Sequence, residues 1–169
     1  MQKTPSLERA SSTPAFRASP DFSLVIACYG EANFLKKSVL QLIDLLALTQ
    51  IQYEFIFVDD YSPDATRQIL LELAEDLEKA QLSYKIIFNE KNLGRGGAVK
   101  RGIRAAEGKI AGFLDIDLEN RPEALFPMYL MVKHQNYDLV VGKRIERLVK
   151  LTLIRTITHK VCKLLCRVF

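Results

Sequence analysis

Four short, nearly all-apolar runs, each followed by a stretch with helical periodicity, constrain the fold of this chain more than any other feature. The runs are residues 23–28, 54–58, 84–88 and 110–114. A strand that is apolar on both faces must be covered on both faces, which is the condition of a parallel sheet interior. After the first run, residues 34–48 carry Leu35, Val39, Leu42, Ile43 and Leu46 at helical spacing, and 64–80, 96–106 and 122–135 follow the other three. Pro122 suits the start of the last of these helices. A fifth short strand is expected over 138–141, then a helical pattern to the end of the chain. The expected architecture is α/β, a mostly parallel sheet with helices on both faces and right-handed crossovers.

At 169 residues and 49% apolar content the chain can fill one core of ordinary size. Residues 1–20, rich in Ser, Thr, Pro and Ala, are expected to be a disordered leader. Residues 21–144 form the folded domain, and 145–169 a basic amphipathic helix. The formal charge of +4 is uneven: eight Lys or Arg against one Glu give 143–169 a charge of +7 and leave −3 on 1–142. A basic, apolar tail calls for an anionic surface or partner. Phe169 is its only aromatic residue, so stacking platforms for nucleic acid are missing and no nucleic-acid partner is expected. Cys28, Cys162 and Cys166 are too few and scattered for a disulfide framework, which makes a reducing, cytoplasmic compartment the default. No run reaches the roughly 18 apolar residues of a spanning helix.

The chemistry collects after the strands. Ligands in such a sheet bind at the carboxyl ends of the strands, and four polar motifs lie there. Tyr29-Gly30-Glu31 follows the first run. Asp59 and Asp60 end the second, before a turn in which Ser62 or Asp64 can cap the next helix. Asn92-Leu93-Gly94-Arg95-Gly96-Gly97 joins the third strand to its helix, and a helix N-terminus there favours phosphate, with Arg95 adding charge. After the fourth run, Asp115, Asp117 and Glu119 stand two apart, so that on an extended chain their carboxylates converge while Ile116 and Leu118 pack the other way. Hard oxygen donors of this kind suit Mg²⁺ or Mn²⁺ completed by water and substrate phosphate. The glycine loop is neither a dinucleotide fingerprint, since Val99 replaces the third glycine, nor a P-loop.

Taken in order, these motifs resemble family 2 glycosyltransferases, in particular those that transfer sugars to polyprenyl or dolichyl phosphate. The resemblance covers residues 22–144 and continues more weakly to the end. Family members carry Tyr-Asn-Glu, Val-Asp-Asp-Gly-Ser-x-Asp-Gly-Thr, Asn-x-Gly-x-Gly-x-Ala, Asp-x-Asp-Leu before a Pro, and Gly-Ser-Arg; the counterparts here end at Gly142-Lys143-Arg144. The resemblance implies a GT-A fold, Rossmann-like, C-terminally truncated to the donor-binding part, and an inverting hexosyltransferase. It implies that Tyr29, Glu31, Asp59, Asp60, Asn92, Gly94, Arg95, Gly96 and Asp115 bind the nucleotide of a UDP- or GDP-sugar. Asp115, Asp117 and Glu119 would hold the metal, Asp117 and Arg144 would act in catalysis, and Arg144, Arg155 and Thr158 would take the phosphate of a lipid acceptor. An ionised phosphate acceptor needs orientation and charge screening more than a general base.

Three positions depart from the pattern. Gly30 replaces Asn, Ala65 replaces Gly, and Tyr61 stands where the family has Gly, which demands a turn without glycine geometry or crowds the nucleoside pocket. In the tail, Leu148, Leu151, Ile154, Ile157, Val161 and Leu164 interleave with Lys150, Arg155, Lys160 and Lys163. That helix either makes a peripheral contact with the cytoplasmic membrane surface through 145–169 or covers the sheet as an ordinary helix. Two rival readings stay open: a non-catalytic fragment that binds donor nucleotide, and a receiver-like phosphoacceptor module, to which the glycine loop would contribute nothing.

Overall fold

The computed structural model describes residues 10–12, 19–118, 121–135 and 137–142. Four strands form the expected parallel core: β2 (Phe22–Cys28), β3 (Tyr53–Asp59), β4 (Ser83–Phe88) and β5 (Ile110–Phe113). β1 (Ala10–Ser12) adds an antiparallel edge, giving the order β1-β4-β3-β2-β5. Registers run from Phe22↔Tyr53 to Cys28↔Asp59, from Glu54↔Ser83 to Asp59↔Phe88, and from Phe22↔Ile110 to Val25↔Phe113. The chain moves outward through β2, β3 and β4, then returns to the far side of β2. That reversal opens a crevice beyond the strand ends between β2 and β5.

Strand alternation sorts the core into two layers. Leu24, Ile26, Phe55 and Phe57 point to one face, where α1 (Leu35–Ala47) presents Leu35, Val39, Leu42 and Leu46, and α2 (Thr66–Lys79) presents Leu70, Leu73 and Leu77. These side chains are fully or almost fully buried, each worth roughly 1.5–3 kcal/mol on transfer from water. On the same face α4 (Leu125–Gln135), entered through a 3-10 turn at Pro122–Ala124, sets Tyr129 edge-on against Phe22 with centroids 5.7 Å apart. The opposite face is thinner: Val25, Ile56, Val58 and Ile87 meet Ala98 of α3 (Gly94–Arg104).

At the amino ends of the strands a buried Glu54 gathers donors. Ser23 Oγ and the Glu107 N–H donate to its Oε1 at 2.6 and 2.7 Å, and Lys85 Nζ lies 3.2 Å from Oε2 and 2.7 Å from Glu107 Oε1. The Gly108 N–H donates to Ser23 Oγ at 2.8 Å. This clamp sets where β5 begins, and with it the position of the acids at the other end.

Two expectations are corrected. Within the segment expected to be a disordered leader, Ala10–Ser12 is a strand, because β4 would otherwise leave a row of unpaired backbone groups and any short segment can pair with it. Residues 138–141 are not a strand. Leu139 and Val141 are 76% and 74% exposed, and an apolar pattern alone makes no strand without a neighbour to pair. The helical pattern expected over 145–169 lies outside the described residues. Among the described residues no helix is long and apolar enough to cross a membrane.

Candidate functional site

The polar motifs meet on the carboxyl edge of the sheet. Tyr29, Glu31, Asp60, Asn92, Gly94, Arg95, Asp115 and Asp117 line one cleft of about 470 Å³, floored by Ala27, Cys28, Ala98 and Ile116. Of the other expected site residues, Asp59 and Gly96 do not line it, and Glu119, Arg144, Arg155 and Thr158 lie outside the described residues.

The walls are held by contacts between motifs. Gly30, at φ +75°, donates its N–H to Ser62 Oγ at 3.1 Å, the Glu31 N–H donates to Thr66 Oγ1 at 2.8 Å, and the Ala32 N–H to Asp64 Oδ2 at 3.2 Å. Three successive amides of the loop after β2 are thus satisfied by the turn before α2. The capping role expected of Ser62 or Asp64 is not observed: the N-cap of α2 is Ala65, with no side-chain cap. Asp64 Oδ1 instead accepts from the Thr66 N–H at 3.0 Å in a local turn just ahead of the helix, and Ser62 faces Gly30. Asp59 is buried and its Oδ1 accepts from the Ser62 N–H at 3.2 Å, so it shapes the same turn from beneath.

Asp60, also buried, accepts from Asn89 Nδ2 at 2.6 Å and from the Leu93 N–H at 2.8 Å through one oxygen. Asn92 Oδ1 accepts from the Gly94 N–H at 2.8 Å. These bonds satisfy amides at the start of α3, which begins at Gly94 rather than at the expected residue 96. Asn89 and Arg101 were not anticipated: Arg101 Nη1 donates to Asn89 Oδ1 at 2.6 Å and extends the network along α3. Asn89 could have been found, since β3 and β4 pair Asp59 with Phe88 and so place Asp60 and Asn89 next in line.

Past β5 the chain turns instead of running on extended. The Leu118 N–H donates to the Asp115 carbonyl at 3.2 Å, and Leu118 takes φ +52°. Ile116 is buried and Leu118 packs on the core, as expected, while Asp115 and Asp117 face the cleft. Arg95 Nη2 reaches Asp115 Oδ2 at 2.7 Å. Burial, then the carboxylates of Asp117, Asp64 and Asp115, pushes the Glu31 carboxyl above its usual range. Cys28 stays a thiol, held far above the ordinary range by burial and then by Asp59 and Glu31. Among the described residues no three acids stand close enough to chelate an ion by themselves. Asp115 and Asp117, which share the cleft with Glu31, carry hard oxygen donors, the ligand type that Mg²⁺ and Mn²⁺ take together with water or phosphate.

Residues 23–165 match the family model described as glycosyl transferase family 2. The chain belongs to that family. A curated relative, the dodecaprenyl-phosphate galacturonate synthase of Rhizobium johnstonii, is 30% identical over 151 residues, which are 87% of this chain and 42% of that protein. The undecaprenyl-phosphate 4-deoxy-4-formamido-L-arabinose transferase of Pectobacterium carotovorum is 35% identical over 127 residues, 74% of this chain and 37% of that one. This family 2 chain therefore spans about two-fifths of the length of the relatives it matches. Among solved structures, S. aureus TarS (residues 1–349) superposes with a TM-score of 0.53 at 25% identity, covering 74% of this chain and 38% of that one. Mannosyltransferase PcManGT of Pyrobaculum calidifontis, solved with GDP-Man and Mn²⁺, gives 0.57 at 23%, covering 75% and 36%. The sheet is that of the GT-A glycosyltransferases, as the motif order implied.

Proposed function

We propose that this chain is the donor-binding part of a metal-dependent, inverting glycosyltransferase that moves a sugar from a UDP- or GDP-sugar to a polyprenyl phosphate. The observation that carries the reading is the convergence of Glu31, Asp115 and Asp117 with the glycine loop in a single cleft at the sheet's reversal point. Two similar relatives bear names of polyprenyl-phosphate sugar transferases, which supports the acceptor class.

In this reading Tyr29 and Glu31 meet the nucleoside, and Asp60 sets the height of the glycine loop through Leu93. Asp115 and Asp117, with Glu119, hold Mg²⁺ or Mn²⁺. When bound, that ion neutralises charge on the departing nucleoside diphosphate. Arg144, continued by Arg155 and Thr158, orients the acceptor phosphate, and residues 145–169 rest on the cytoplasmic face of the membrane. Asp117 completes the reacting end of the site.

Calorimetry with UDP, GDP and their sugar conjugates, with and without Mn²⁺, tests the donor site. Binding should require the metal and should weaken at least about tenfold in Asp115→Asn and in Asp117→Asn, since even groups that only orient a ligand cost that much. Metal-independent binding, or none, contradicts the reading.

A further inference from the structure

A cation already stands on one of the acids assigned to the metal. Arg95 Nη2 lies 2.7 Å from Asp115 Oδ2. Residue 95 is in the first turn of α3, just past Gly94 at φ +74°, and Asp115 follows β5 by two residues. The pair therefore bridges the two loops that wall the cleft. The Arg95 side chain is 62% exposed, against 28% for that of Asp115, and Cζ stands 5.9 Å from the centre of the exposed Phe113 ring. Solvent weakens an ion pair of this kind and lets it exchange readily.

We propose that Arg95 is the counterion of Asp115 while the cleft lacks a donor, and that it exchanges for a divalent cation when the donor binds, which frees the guanidinium for the diphosphate. The inference rests on the donor-site reading above. Charge balance argues for it. Glu31, Asp115 and Asp117 line one cleft, and the Arg95 guanidinium on Asp115 offsets part of that charge when nothing is bound. With the divalent ion on Asp115 the same oxygen no longer suits a guanidinium, and the incoming diphosphate supplies the anion that Arg95 then lacks. A planar, fork-shaped donor group on the rim can make that change without moving the helix that carries it. Metal and nucleotide then bind with positive coupling, each tightening the other by the same factor.

The test begins with Mn²⁺ alone, followed through the paramagnetic resonance of the free ion. Arg95→Gln should bind Mn²⁺ roughly two- to fivefold more tightly than the wild type, the worth of an exposed ion pair. The same variant should bind UDP or GDP more weakly at saturating Mn²⁺. Lys100→Gln, which removes the same charge from an exposed part of α3 outside the cleft, should change neither. The gain in Mn²⁺ affinity should vanish in a background of Asp115→Asn. An Arg95→Gln protein with Mn²⁺ affinity equal to or below the wild type overturns the exchange, and so does a gain that persists without the Asp115 carboxylate. Wild-type protein that shows the Mn²⁺ pattern but takes no nucleotide overturns the donor reading and the diphosphate half of the proposal together, leaving only the counterion role.

Discussion

Tyr61 keeps a glycine's backbone without being a glycine. Its φ of +65° lies in the left-handed region, which costs an L-residue about 1–2 kcal/mol, and the residue is 60% exposed, so little burial offsets the strain. The turn after β3 therefore retains glycine geometry, and the ring is not among the residues lining the cleft, contrary to both consequences expected of a tyrosine there. Tyr61→Gly should raise stability by roughly 0.5–1 kcal/mol in urea unfolding after the extra freedom of glycine in the unfolded chain is counted. Tyr61→Val, β-branched at the same angle, should lower it; if both variants destabilise, the ring has a packing role that its exposure conceals. At this scale the sequence showed which residues carry charge at the strand ends but not what they bind. Asp60 reads as a ligand contact, yet one of its oxygens is committed to Asn89 and Leu93. Partners 29 and 33 residues away leave no local signature.

Elements were legible in proportion to how regular their burial is. β2 to β5 are nearly all-apolar runs, and α1 and α2 repeat a buried residue every three or four positions, so both signals survive in the sequence. β1 was missed because Ala-Ser-Ser carries no pattern; only pairing with β4 makes it a strand. α3 is recognisable for another reason. It buries only Ala98 and Gly102, and a Cβ on Gly102 would fall 2.3 Å from Val25 Cγ1 and 3.1 Å from Val58 Cγ2. Gly102→Ala should cost about 1–3 kcal/mol by overpacking, with a lower midpoint in denaturant and an unchanged slope. The joint between the loop after β2 and the turn before α2 is expected to respond to pH. Burial alone would raise the Asp64 carboxyl, but hydrogen bonds from the Thr66 hydroxyl and N–H and from the Ala32 N–H outweigh it, and the net shift is downward from 3.8. A carboxyl depressed in the folded state contributes stability above its ordinary pKa and loses it as pH falls through the folded value. Melting temperatures followed from about pH 5 to pH 2 should fall less steeply in Asp64→Asn than in the wild type, from a lower starting point; parallel curves would show that the three-amide joint does not depend on this charge.

The whole molecule puts its polar groups at opposite ends of one sheet. Acids face the cleft at the carboxyl edge, and the Glu54 clamp closes the amino edge. Lys85 is largely buried between Glu54 and Glu107 and donates to the Ala105 carbonyl at 2.9 Å, so Glu54→Gln leaves its ammonium with the exposed Glu107 as its one remaining carboxylate partner among the described residues. Loss of about 3 kcal/mol is expected for breaking such a pair. Because the clamp fixes the turn into β5, the change should also weaken binding in the cleft at the far end of the strand. Between the two edges, order is unequal. β2 and β3 are paired on both sides and their inward residues are sealed, whereas β5 spans four residues, exposes Ala111 and Phe113, and is paired only with β2 among the described residues. Strands sealed on both faces open only with the whole fold, and a half-covered edge opens alone. Native-state hydrogen exchange should therefore place the slowest amides in Phe22–Cys28 and Tyr53–Asp59, and markedly faster ones in Ile110–Phe113. A donor bound at Asp115 and Asp117 should slow β5 selectively. Equal protection of β5 and β3 without ligand would mean that another strand covers the outer edge of β5, and the acids would then stand on a wall as rigid as the core.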